Sequence, residues 1–154
     1  MLMDSNLDMC SAQAVNNGTS YAQLGTAIDL RPAGIADNPT LDISAGEPFY
    51  LVIELDTAIT TADNYELALF THTAATSIQS GEMLVTTGLL AVADLPIGRR
   101  WVFNLPKPEP GVDAYERYIA IAGKKAGSGT AAGSFTAFLT KEVNNWTSTN
   151  TRTD

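Results

Sequence analysis

From Phe49 to Leu55 the side chains alternate with a period of two. Phe49, Leu51, Ile53 and Leu55 fall on one face, and Tyr50, Val52 and Glu54 on the other. Entered through the turn residues Gly46, Glu47 and Pro48, the segment reads as a half-buried antiparallel strand. The pattern returns at residues 65–71, where Tyr65, Leu67 and Leu69 share a face. It returns again at 100–105 (Trp101, Phe103, Leu105), at 117–122 (Ile119 and Ile121 against Tyr118, Ala120 and Ala122) and at 134–143 (Phe135, Ala137, Leu139, Val143). No long 3.6-residue period competes with it, so the chain is expected to be all-β. Residues 11–15, residues 21–30 with an interruption at Gly25, and weaker segments around Met83–Val85 and Leu89–Ala91 bring the expected count to about eight short strands.

The connections are long and irregular. Pro32, Gly34 and Asp37-Asn38-Pro39 make residues 31–42 a loop, and residues 56–64 read as a connection between two strands. Pro106, Pro108 and Pro110 remove three backbone donors and stop the strand before them. Residues 123–133, rich in Gly, Ser, Thr and Ala, read as a flexible hairpin loop between the last two strands. Such spacing suits a jelly-roll-like β-sandwich better than an up-and-down barrel, whose hairpins are tighter. One domain is expected over residues 1–143, with an N-terminal arm at 1–10, followed by a polar tail at 144–154.

Charge narrows the partners. The formal net charge of −8 disfavours direct nucleic acid binding, and the basic residues are scattered, with Arg99-Arg100 and Lys124-Lys125 the closest pairs. No membrane role is implied: the apolar run from Phe49 to Ile53 falls far short of the ~20 residues of a spanning helix. Met1-Leu2-Met3-Asp4 lacks the basic region of a signal peptide, so synthesis in the cytoplasm is expected. The lone Cys10 forms no intrachain disulfide and reads as a small apolar residue of an N-terminal strand.

Reactive constellations are not evident. His72, the only histidine, ends a strand with no nucleophile motif beside it and reads as a surface or turn residue. The run from Gly123 to Thr130 lacks a phosphate loop's spacing, since Tyr118 stands where that motif needs glycine. Asp37, Asp42, Asp56 and Asp63 have no calcium-loop spacing, and nothing singles out a carboxylate pair among Glu47, Glu54, Glu66 and Glu82. Trp101 is expected in the core, whereas Trp146, in a polar tail, is a candidate interface anchor. No enzyme activity, cofactor or metal is expected.

Several segments stand in an order that resembles a known family. They are Leu7-Asp8-Met9-Cys10-Ser11-Ala12-Gln13-Ala14, Ala27-Ile28-Asp29-Leu30, residues 45–58, Arg117-Tyr118-Ile119 and Gly133-Ser134-Phe135-Thr136-Ala137-Phe138-Leu139. In that order the chain resembles the tailed-phage capsid cement, or decoration, proteins of the Bordetella-phage type, over residues 1–143. Three departures stand out: a longer connection at 31–44, Ala120-Ile121-Ala122-Gly123-Lys124 in place of a more extended strand, and the added tail.

The resemblance implies a jelly-roll protein of the virion, bound to the outside of a phage shell. Its partners would be the major capsid protein and itself, a homo-oligomer with the dimer favoured, clamping neighbouring capsomers. Leu7, Arg31, Ile35, Asp37 and Trp146 are then the candidate capsid or subunit interface, because the loops and chain ends carry what is specific to one shell. The competing expectation is a carbohydrate-binding jelly-roll module displayed on the virion, which would need an exposed aromatic row or a calcium site.

Overall fold

In a computed structural model, residues 8–30, 49–105 and 115–141 are described. The chain is all-β and a single domain. Its strands are β1 (Asp8–Ala14), β2 (Ala22–Asp29), β3 (Tyr50–His72), β4 (Glu82–Thr86), β5 (Leu90–Ala91), β6 (Arg100–Asn104) and β7 (Tyr118–Thr140). Short 3-10 turns at Ile78–Ser80 and Val92–Asp94 interrupt the connections. All pairings are antiparallel and join into one seven-stranded sheet among the described residues.

The organising element is a ribbon made by β3 and β7, paired from Tyr50↔Thr140 to His72↔Tyr118. Its first half, residues 50–55 with 135–140, carries β1 on one side and β6 on the other. Its second half, residues 64–72 with 118–126, carries β2 on one side and β4 and β5 on the other. Between the halves the register shifts four times in succession, between Leu55 and Asn64. Each bulge bends and twists the ribbon. The inward residues of both halves, Leu51, Ile53, Leu55, Phe135 and Leu139 from one and Tyr65, Leu67, Leu69, Ile119 and Ile121 from the other, then enter one core cluster.

This arrangement corrects three sequence expectations. Residues 56–64 are not a connection between two strands, and residues 123–133 are not a hairpin loop; each lies inside a 23-residue strand. Seven strands lie among the described residues. The physical reason for the two long strands is that glycine permits a bulged strand as readily as a turn. Gly127 and Gly129 have φ of +81° and +83°, and a Cβ on Gly129 would run into the carbonyl of Thr61 on the facing strand. Residues 120–124 lie within β7, which like β3 runs over 23 residues. Strand β1 begins at Asp8, inside the stretch expected as an arm.

Other expectations were met. The interruption at Gly25 is a bulge with φ +73°, where a Cβ would meet the Met9 carbonyl at 2.6 Å, so β2 and β1 approach closely there. Tyr65, fully buried, pins the β1–β2 connection: its hydroxyl accepts from the Asn16 N–H (3.1 Å) and donates to Asn16 Oδ1 (2.5 Å). Burial pushes the Tyr65 phenol up to about 12, opposed by the Asn16 N–H. Gly123 is required beside it, since a Cβ there would lie 2.7 Å from the Tyr65 hydroxyl.

Candidate functional site

The outward face of the second half-sheet is closed by a polar knot. Glu66 stands on that face by parity with Ala68 and Phe70, and its register partner on β7 is Lys124. Glu66 Oε2 lies 3.1 Å from Lys124 Nζ, and Glu66 Oε1 accepts from Thr86 of β4 at 2.6 Å. Lys124 Nζ also sits 4.3 Å from the centroid of the Tyr21 ring, whose edge meets Phe70. One carboxylate on β3 thus ties strands on both of its sides. Burial pushes the Glu66 carboxyl up, but the groups of Thr86, Tyr21 and Lys124 together hold it below its ordinary value. The Tyr21 hydroxyl lies against this carboxylate without closing a hydrogen bond of good geometry, and burial pushes the phenol well up.

The first half-sheet carries its charges differently. Arg100 of β6 makes two bonds to Glu54 Oε2, at 2.9 and 2.5 Å, with both side chains about one-third exposed. Asp56 accepts from Thr136 at 2.9 Å, and Thr136 in turn accepts from the Ala12 N–H. At the edge of the second half-sheet, Arg117 grips Asp29 with two bonds of 3.0 and 2.8 Å and stacks on Tyr118.

The bend between the halves is exposed and small-sided. Asp56, Thr57, Thr60, Thr61 and Asp63 from β3 face solvent with Gly127, Ser128, Gly129 and Thr130 from β7. Asp63 accepts from the Ser128 N–H at 2.7 Å, and the Thr61 hydroxyl donates to the Thr130 carbonyl, so hydrogen bonds hold the outward side of the bend while Ile59, Ala62 and Ala131 pack its inward side into the core. Thr61 itself has φ +64°. Among the described residues the large apolar side chains left most exposed, Met83, Leu89 and Ile97, all belong to the strip that runs along the edge of β3 opposite β7.

The sequence-nominated interface residues Leu7, Arg31, Ile35, Asp37 and Trp146 all lie outside the described residues, as do Asp42 and Glu47. The remaining singled-out residues are placed as follows. Cys10 sits in β1, packed against the core, and burial pushes its thiol up to about 12. Trp101 packs on the core from β6 but keeps part of its ring accessible beneath the Arg99 guanidinium at 5.1 Å. Glu54 and Glu66 lie on different half-sheets, each engaged with its own cation. His72 ends β3 and binds the following turn through both ring nitrogens.

Among the described residues no group of three or more His, Cys, Asp or Glu could hold a metal ion, and no helix is long and apolar enough to cross a membrane. Sequence reasoning missed the Glu66 knot. Its signal was present in the facing alternations of residues 66–70 and 120–124, but only the strand register sets Glu66 against Lys124. The chain matches a family model described as Bbp16 over residues 9–139. No curated protein matches it.

Proposed function

The chain belongs to the Bbp16 family, a name that points to a Bordetella phage protein, and from that premise we propose that it is a capsid decoration protein. In this reading it binds the outer surface of a phage shell, pairs with a second copy, and clamps neighbouring capsomers. The observation that carries the reading is the extent of the match. It runs from β1 almost to the end of β7, so the whole ribbon with both half-sheets is the shared unit rather than one local motif. That is what a protein acting as a rigid brace requires.

A brace does no bond chemistry. It stabilises an assembled lattice by binding that lattice and not its separated subunits, contributing RT ln(1 + [L]/Kd) per site. A pair touching two capsomers gains effective concentration for the second contact, so modest interfaces act together. A two-fold dimer suits a two-fold lattice position by symmetry. The net charge of −8 favours basic ground on the shell and a rate of association that falls with salt.

The test is co-sedimentation of purified protein with mature and immature shells. Saturable binding to mature shells is expected. Absence of binding to either, together with retention on an immobilised glycan panel, would replace this reading with the carbohydrate-binding one. Removal of residues 144–154 is expected to weaken shell binding while leaving the fold intact; unchanged binding would exclude the tail from the contact.

A further inference from the structure

Between β3 and β4 the chain makes an excursion over residues 73–81, and its 3-10 turn lays a fully buried Ile78 on Ala68, Phe70, Ala120 and Ala122. The fastening at its start is a histidine. The Ala74 N–H points at His72 Nδ1 at 3.0 Å, and an amide only donates, so Nδ1 carries its lone pair. Ser80 Oγ gives its one hydrogen to the Ser77 carbonyl at 2.7 Å. Toward His72 Nε2, 3.2 Å away, the same oxygen is therefore an acceptor, and Nε2 carries the proton. The two bonds together select one neutral tautomer of the imidazole.

A second proton has one place to go, Nδ1, and there it faces the Ala74 N–H. The Ala74 carbonyl stands 3.3 Å from that same nitrogen, so the charged ring has an alternative acceptor that the neutral ring cannot use. Changing from one to the other re-aims the peptide groups that begin the excursion. Independent features show that the closed form is held against opposition. Ser77 adopts φ +59° without being glycine. The Oε1 atoms of Gln79 and Gln23 are buried with no hydrogen-bond partner among the described residues.

Among the described residues the titratable groups around the ring are Tyr118, its register partner on β7, Glu82 of β4, which pairs with Thr71, and Glu116, whose N–H donates to Thr71. Asp29 of β2 and Arg117 are occupied with each other beside Tyr118. The 3-10 turn itself contributes only uncharged Ile78, Gln79 and Ser80. None of the charged groups hydrogen-bonds the imidazole among the described residues, so the ring's own proton decides the latch.

We propose that residues 73–81 form a histidine-latched cap over the Phe70 cluster, closed while His72 is neutral and loosened when it is protonated. Hydrogen exchange reads it directly, because Ser80 N–H and Gly81 N–H are bonded only within the cap.

Between pH 8 and pH 5.5 the protection factors of these two amides are expected to fall about tenfold, while those of Leu69 and Ile121 in the ribbon stay constant. His72→Asn keeps an acceptor for the Ala74 N–H and cannot take up the proton, so its cap protection should not change with pH. Imidazole nitrogen shifts at pH 8 should report Nε2–H. Equal protection at both pH values in the unmodified protein, the same fall in His72→Asn, or an Nδ1–H tautomer would each overturn the proposal.

Discussion

The two half-sheets are built from the same two strands and the same alternation, yet they are buried to different depths. In the second half, β3 is buried on both faces from Tyr65 to Thr71, because the 3-10 turn with Ile78 and the side chains of Tyr21 and Tyr118 cover the outside. In the first half, Tyr50 and Glu54 on the outward face stay half-exposed, although Val52 is buried. The charges follow the same division. Glu66 keeps only 10% of its side chain accessible beside Lys124, while Glu54 keeps 32% beside Arg100. A pairing pattern alone therefore does not set the worth of an ion pair; the cover over it does.

The comparison breaks first if the halves are separate folding units. Phe135 of the first half and Ile121 of the second are both fully buried in one cluster, so truncation of either should lower the stability of a single cooperative transition. Phe135→Ala is expected to cost about 4 kcal/mol and Ile121→Ala about 3 kcal/mol in denaturant unfolding. Two resolved transitions, with each variant shifting only one, would show that the ribbon does not couple them.

The next effect sharpens the difference in charge. Glu66→Ala removes a buried carboxylate that Thr86 and Lys124 share and should cost about 2 kcal/mol, against less than about 1 kcal/mol for Glu54→Ala. Because the folded Glu66 carboxyl is held below its ordinary value, its contribution is fully present above the unfolded pKa of about 4.3 and is lost as pH falls through the lower folded value. The stability gap between the unmodified protein and Glu66→Ala should thus be constant from about pH 6 to 8 and shrink below about pH 4. A gap that widened in acid would mean the carboxyl is buried neutral.

Smaller effects probe the bend and the pin. Gly129→Ala should cost about 2 kcal/mol, since the added Cβ meets the Thr61 carbonyl. Gly88→Ala, at φ +73° in open space, should cost about 1 kcal/mol. Equal losses at the two sites would mean that the close approach of the strands at the bend carries no weight. Tyr65→Phe leaves the Asn16 groups without their partner and should cost about 1 kcal/mol, with faster amide exchange confined to residues 15–18. Exchange that rose equally across β4 would contradict a local pin.

How far the sequence carried depended on what kind of information each feature needs. The inward rows Leu51, Ile53, Leu55 and Tyr65, Leu67, Leu69 were readable, because alternation is local and the core cluster takes those residues. The bulge at Gly25 was readable for the same reason. The continuity of β3 and β7 was not. Residues 56–64 and 123–133 have the composition of turns, and only each other's presence, pairing from Thr57↔Ser134 to Asn64↔Ala126, makes them strands. The Glu66 knot and the His72 latch were hidden likewise, since each draws on partners set by register or by a turn the sequence left unassigned. The interface residues nominated from the loops and chain ends, Trp146 among them, lie outside the described residues.

The most direct test of the capsid reading is an add-back experiment on phage shells stripped of this protein. Increasing amounts of purified protein are added, and the temperature at which the shells rupture is recorded. The account predicts that rupture temperature rises with bound protein and levels off at a fixed ratio to the major capsid protein. Shells that bind the protein yet rupture at an unchanged temperature, or that never bind it, would contradict it.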